Sequence, residues 1–431
     1  MRSRRFVVTV VGVAVLGLLA AAGVVGGLRL AATPPAPRVT ITATGTISAG
    51  ASAPSITVPI RGSLALVAGG KHLLPAGPAV LVDDDARAVR PIASVAKTLT
   101  ALVVLQDKPL AATETGPEYV ITAQDVAFYR ASVAEGGSST FVSTGEQFTE
   151  RQLLETLMLP SGNNIAMTLA EWVSATETAF VARENALAAS LGMADTTITD
   201  PSGFDAGTRS TAIDLTKLGN AALANPALAS IVAERSAALP SGQTVPNFNT
   251  ALAQPGWLGI KTGDSDAAGG CLLFAARRAP DGDDNPDDAV TLIGAVLGEH
   301  SLLAKPGGED DRAAAIFDAV QAVDTAMKGY VALRPSALST APTLSGQVTT
   351  AWGSTSSLEL GSPAVVSSVV LRMGAALSLR EHMLRTSAPL RAGARVGSVE
   401  LLFGDTIALS WPVLTARAVE APGFFWRLQH D

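Results

Sequence analysis

The chain has 431 residues, enough for about three domains at roughly 150 residues each. Charged residues make up 16% against 48% hydrophobic, which excludes a disordered, solvating chain, and a net charge of −7 supplies no general counter-charge for nucleic-acid phosphates. A single cysteine, Cys271, excludes an internal disulfide, and one Cys with four scattered His matches none of the usual zinc patterns.

Met1–Arg5 reads MRSRR, and the chain then runs from Phe6 to Leu28 without a charge. That is long enough for a helix to cross a hydrocarbon core about 30 Å thick, and longer than the roughly 7–15 apolar residues of a secretory signal. The basic tip predicts a cytoplasmic start with everything after Arg29 outside. Residues 1–30 therefore read as a tip and an uncleaved transmembrane anchor, the alternative being a signal cleaved near Leu30-Ala31-Ala32. Residues 31–60, rich in Ala, Thr, Pro, Ser and Gly, read as a linker. Residues 61–328 mix apolar strand-like runs with amphipathic helices, an α+β pattern. In residues 329–431 the short alternating runs Gln347–Trp352, Ser356–Leu360, Arg395–Phe403 and Thr406–Val413 predict a small all-β domain. Phe424-Phe425-Trp426 is too short for a second anchor and reads as core, which leaves membrane attachment to Phe6–Leu28. The acidic run Asp281–Asp288 (DGDDNPDD) reads as a solvated hairpin loop; Pro286 stands where a calcium loop wants Gly, and no metal site is assigned.

Only one of the seven lysines, Lys97, has a serine three residues before it, in Ser94-Val95-Ala96-Lys97. Residues 98–105 follow without a charge, Gly or Pro, which predicts a buried helix. At i and i+3 on a helix, the Lys97 amine reaches the Ser94 hydroxyl. A serine needs such a base to become a nucleophile, and a lysine serves as one only where burial or a neighbouring cation makes it release its proton. Further on, Thr149-Glu150-Arg151-Gln152 is a capping box that opens a helix stopped by Pro160. Ser161-Gly162-Asn163-Asn164 follows, by itself a turn between two helices. Lys261-Thr262-Gly263 closes the apolar run Trp257–Ile260, where a lone lysine would ordinarily be an edge charge.

Together the three motifs resemble the serine penicillin-recognising enzymes, with their Ser-x-x-Lys, Ser-x-Asn and Lys-Thr-Gly set. The spacings from Ser94 to Ser161 to Lys261, 67 and 100 residues, are similar to those of the low-molecular-mass D-alanyl-D-alanine carboxypeptidases. So are Pro91–Thr98, Pro201-Ser202-Gly203-Phe204-Asp205, Ser210–Leu215, Ala267-Ala268-Gly269-Gly270-Cys271 and Leu292–Gly298. The resemblance covers about residues 61–328 and implies a β-lactamase/transpeptidase-like antiparallel sheet flanked by helices. It also implies roles. Ser94 would attack a terminal D-Ala-D-Ala bond of a peptidoglycan stem peptide and Lys97 would take its proton. Ser161 would relay a proton to the leaving amine, and Asn163 would hold Lys97 and substrate. Lys261 and Thr262 would read the terminal carboxylate, Gly263 would let substrate lie along the strand, and the N–H groups of Ser94 and Asp264 would form the oxyanion hole. β-Lactams would acylate the same serine, and no cofactor is implied.

The chain departs from the family at Asp264, which stands where the family more often has His, Tyr or an uncharged residue. Its carboxylate either points away or weakens the site. A wall-binding protein with a decayed site is one alternative. Another is a β-lactamase, for which no base that discharges the acyl-enzyme is placed. Cys271 reads as a small buried hydrophobe, and the four histidines are given no role.

Overall fold

The computed structural model describes residues 2–45, 47–49, 51–56, 61–280, 282, 285–301, 309–338 and 340–430. Position 1 of the basic tip, positions 46, 50 and 57–60 of the expected linker, and Asp281, Asp283 and Asp284 of the acidic run lie outside them. The described chain divides into two compact units, Ser52–Ala332 with Val369–Met373, and Met1–Ala51 with Leu333–Ser368 and Gly374–Asp431.

The first helix, α1 (Arg2–Ala31), carries one apolar stretch, Thr9–Ala31, long enough to cross a membrane, with Leu16, Leu18 and Leu28 exposed along it. The linker expectation needs correction at Arg38–Thr44, which forms a strand, β1. Its alternating, β-branched RVTITAT suits a pleated edge, and it pairs in antiparallel register within the carboxy-terminal sheet described below.

The larger unit is built on β2 (Ser63–Gly69), β3 (Ala79–Asp84), β4 (Trp257–Ser265), β5 (Gly269–Arg278) and β6 (Val290–Glu299). They run β4-β5-β6-β2-β3, every pair antiparallel, as the resemblance implied. Strand alternation divides the sheet between two cores. Leu64, Leu66, Leu272 and Phe274 face one way, onto Ala319 and Val323 of the long helix Glu309–Met327. Ala65, Leu273 and Ala275 face the other way, into the helical lobe. The sheet is therefore buried on both faces, with its β4 edge free to border a cleft. The boundary expected at 328/329 moves to 332/333, and a piece of the tail returns: Val370–Arg372 pairs with Tyr330–Ala332 and Leu73–Leu74, burying Tyr330 and Val370 in the second core. In the acidic run, Asp287 is solvated beside Lys71, but Asp288 is buried and accepts from Asn285 Nδ2, so the fully solvated loop is corrected there.

The smaller unit carries the all-β domain expected from the tail. Its strands are β7 (Thr343–Thr349), β8 (Thr355–Leu360), β9 (Ser378–Met383), β10 (Arg395–Phe403) and β11 (Thr406–Thr415), in the antiparallel order β1-β7-β8-β11-β10-β9. Phe424-Phe425-Trp426 is not core. It opens a helix of six residues, Phe424–Gln429, too short to bury two faces, and Phe424 and Phe425 stay 60% and 77% exposed.

Candidate active site

Ser94 and Lys97 sit where a 3-10 turn, Ala93–Ala96, passes into the helix α2 (Lys97–Asp107). Residues i and i+3 eclipse one another in a 3-10 turn, which brings the Lys97 amine to 2.6 Å from Ser94 Oγ. The uncharged run after Lys97 behaves as expected, with every side chain from Lys97 to Leu105 buried. Ser94 itself is only half-buried and open to a ligand. The residue before it, Ala93, is held at φ +45°, a strained region for a side chain that is favoured where a site demands it.

Lys97 Nζ has four neighbours: Ser94 Oγ, Asn163 Oδ1 at 2.7 Å, the Ser202 carbonyl at 3.0 Å and Ser161 Oγ at 3.3 Å. Asn163 Oδ1 and the Ser202 carbonyl can only accept. A neutral amine has two N–H groups, so these two acceptors consume both and leave its lone pair directed toward the serine hydroxyls. Burial favours that neutral form and lowers Lys97 to about 7, against the opposing pull of Asp200 and Asp264.

The second motif is placed by a helix start. The capping box forms in both directions between Thr149 and Gln152, opening Glu150–Met158, and the next helix, Asn163–Ser174, begins at the motif. Ser161 between them is at φ +68° and buried. Asn163 N donates to the Ser138 carbonyl, and the Asn164 amide bonds both N and O of Thr140, tying the loop 137–140 to the site. Gly137 is needed there, because a Cβ on it would stand 2.5 Å from Asn163 Nδ2. Gly137→Ala is therefore expected to push Asn163 off Lys97 and slow acylation by a penicillin about tenfold, at an overpacking cost of about 1–3 kcal/mol. Stopped-flow acylation and a thermal melt on one preparation check it; an unchanged acylation rate would refute it.

The third motif lies on β4, at the edge of the sheet. A Cβ on Gly263 would crowd Ser94 N at 3.1 Å and the Ile92 carbonyl at 3.0 Å, so glycine lets the strand run close to Ser94. Lys261 is no edge charge: it is fully buried, its ammonium donates to the Thr262 carbonyl at 3.1 Å, and Thr262 is buried beside it. Burial first, and then the charge of Lys97, hold Lys261 well below the ordinary lysine range, while Asp264 opposes them. The Asp264 side chain is engaged. Arg312, on the helix Glu309–Met327, donates Nη1 to Asp264 Oδ1 at 2.8 Å and lies over the Phe248 ring, 4.8 Å from its centroid.

Ser94, Lys97, Ser161 and Asn163 thus meet directly at one amine. Gly263 borders Ser94 through the backbone, and Lys261 and Asp264 lie within electrostatic reach of Lys97. Three participants escape the motif reading: the Ser202 carbonyl, Gly137 and Arg312. Pro201-Ser202-Gly203-Phe204 and Gly136-Gly137-Ser138 carry turn-forming residues that could have marked the first two, whereas nothing local marks Arg312. Cys271 is fully buried with its thiol pushed up to about 12, inert as expected.

Comparison with known proteins converges on one family. The sequence model of the family described as D-alanyl-D-alanine carboxypeptidase matches residues 76–285, a span holding all three motifs. The D-alanyl-D-alanine carboxypeptidase DacB2 of Mycobacterium tuberculosis is 37% identical over 248 residues, 56% of this chain and 77% of that protein. A D-alanyl-D-alanine carboxypeptidase of a Streptomyces species is 30% identical over 233 residues, 50% of this chain and 75% of its own. The crystal structure of the Streptomyces K15 DD-transpeptidase superposes with a TM-score of 0.50 at 26% identity, covering 63% of this chain and 99% of that one.

Proposed function

The chain belongs to the D-alanyl-D-alanine carboxypeptidase family, and on that premise we propose how its residues carry out the reaction. It is a serine-type D-alanyl-D-alanine carboxypeptidase. Its substrate is the peptidoglycan stem peptide ending in D-Ala-D-Ala. The observation that carries the assignment of roles is the buried Lys97 amine, held by Asn163 Oδ1 and the Ser202 carbonyl with its Nζ 2.6 Å from Ser94 Oγ.

Lys97 takes the Ser94 proton as Oγ attacks the penultimate D-alanine carbonyl. The N–H groups of Ser94 and Asp264 receive the developing oxyanion; one such donor is typically worth about 10²–10³ in rate. The proton passes through Ser161 to the leaving amine, the C–N bond breaks, and free D-alanine departs. Lys261 and Thr262 read the terminal carboxylate, whose charge draws the Lys261 proton back against the burial that lowers it. Asn163 orients Lys97 and the substrate backbone, and Gly263 admits that backbone alongside β4. Water, deprotonated by Lys97, then cleaves the ester and restores Ser94. β-Lactams enter as analogues of the same peptide end and leave Ser94 acylated. The apolar stretch Thr9–Ala31 anchors the enzyme on the outer face of the bacterial cell membrane.

The test combines a synthetic peptide ending in D-Ala-D-Ala with a fluorescent penicillin. Released D-alanine, together with a slowly decaying covalent label that Ser94→Ala abolishes, is expected. A label that decays within seconds would replace the reading with a β-lactamase, and an unlabelled wild type would replace it with a binding protein.

A further inference from the structure

Behind the active-site helix lies a carboxyl group that the reaction does not touch. Glu184, on the helix Glu177–Ser190, is fully buried, and its Oε1 is 2.8 Å from Thr100 Oγ1, one turn beyond Lys97 on α2. Thr100 Oγ1 is also 2.6 Å from the Pro201 carbonyl, the neighbour of the Ser202 carbonyl that receives Lys97. The geometry points to Glu184 as a positioning residue: a neutral carboxylic acid that donates its proton to Thr100 and so holds the Pro201–Ser202 carbonyl pair on which the orientation of Lys97 depends. This rests on the roles assigned above to Ser94 and Lys97.

Proton counting carries the argument. A threonine hydroxyl has one hydrogen, and a peptide carbonyl has none to give. The Thr100 hydrogen therefore serves the Pro201 carbonyl, and the remaining contact at 2.8 Å is a hydrogen bond only if Glu184 is the donor. The other oxygen, Oε2, is buried with no hydrogen-bond partner among the described residues, which a carbonyl-like oxygen tolerates and an anion does not. Burial pushes Glu184 well above the carboxylate range and outweighs the opposing pull of the Thr100 contact, and the nearby charges of Asp200 and Glu177 add to the rise.

Neutrality matters to the base. An ionised Glu184, bonded to Thr100 one turn beyond Lys97, would favour the ammonium over the amine. As a donor it instead completes a clasp. Asp200 Oδ2 accepts from the N and Oγ of Ser202 and from Phe204 N, and its Oδ1 accepts from Thr208 Oγ1, fixing the segment from the solvent side. The Glu184–Thr100 pair fixes it from the helix side.

The full-length protein tests this with Glu184→Gln, Glu184→Ala and Thr100→Val. Gln keeps a neutral donor and is expected to acylate with fluorescent penicillin within about twofold of wild type. Ala and Val open the clasp and are expected to slow acylation about tenfold at unchanged peptide KM. At a pH well above 7, where Glu150 and Glu299 are ionised, the wild-type minus Glu184→Gln infrared difference spectrum should show the C=O stretch of a protonated carboxylic acid. A carboxylate signature in its place, a Gln variant as slow as Ala, or wild-type acylation in both Glu184→Ala and Thr100→Val would overturn the proposal alone. A wild type that does not acylate would overturn the Ser94–Lys97 assignment and this positioning role with it, while the infrared band still reports the Glu184 proton.

Discussion

Lys97→Met is expected to slow acylation of Ser94 by about 10²–10⁴-fold, the usual contribution of a positioned general base. Methionine keeps an unbranched apolar stem as far as Cε and removes the amino group with its lone pair and N–H groups. The Asn163 amide oxygen and the Ser202 carbonyl then lose their donor, which costs about 1–3 kcal/mol of stability for each buried orphan. Rates are accordingly compared per folded molecule, with a thermal melt on the same sample. The pH dependence supplies the sharper test. Below about 7, Lys97 is an ammonium with no lone pair, and above it the neutral amine takes the Ser94 proton. Wild-type acylation should therefore climb as pH rises through about 7 and level off above it, and Lys97→Met should lose that limb. A limb centred near the ordinary lysine value would mean that burial does not set the base.

The parts of this site legible in the sequence are those whose geometry is local. Lys97 stands three positions after Ser94, and one turn of either helix type places them together, so the spacing alone was informative. The capping box at Thr149 and Gln152 fixes the entry of its helix by the same short-range logic. What stayed hidden depends on chain reversal. Arg312 meets Asp264 across 48 residues of separation and Glu184 meets Thr100 across 84, with no periodicity linking either pair. In Arg38–Thr44 the alternation was present, but Pro- and Ala-rich neighbours argued for a linker, and its partner strand begins near residue 343. Phe424 and Phe425 misled because hydrophobicity says nothing of whether a helix is long enough to bury them.

Arg312→Leu is expected to lower kcat/KM for a peptide ending in a free D-Ala-D-Ala carboxylate by about 30-fold, which is about 2 kcal/mol and the lower end of what breaking a buried, hydrogen-bonded charge pair costs. The lower end applies because the pair is incompletely buried, with Arg312 14% and Asp264 24% exposed. Without Arg312, Asp264 becomes an uncompensated anion on the strand that, in the proposed mechanism, receives the substrate carboxylate. Asp264→Asn acts in the opposite direction. It frees the guanidinium and removes a like charge, so KM for the same peptide should fall several-fold. It also removes one of the two carboxylates that raise Lys97, so the acid limb of acylation should move to lower pH. The double variant should recover part of the Arg312→Leu loss, because no charge is left orphaned. A C-terminally amidated peptide separates the causes: these KM changes should vanish with the substrate carboxylate, whereas the limb shift, which belongs to Lys97, should persist. KM changes of equal size on the amide would place Asp264 and Arg312 in support of the strand rather than in recognition of the peptide end.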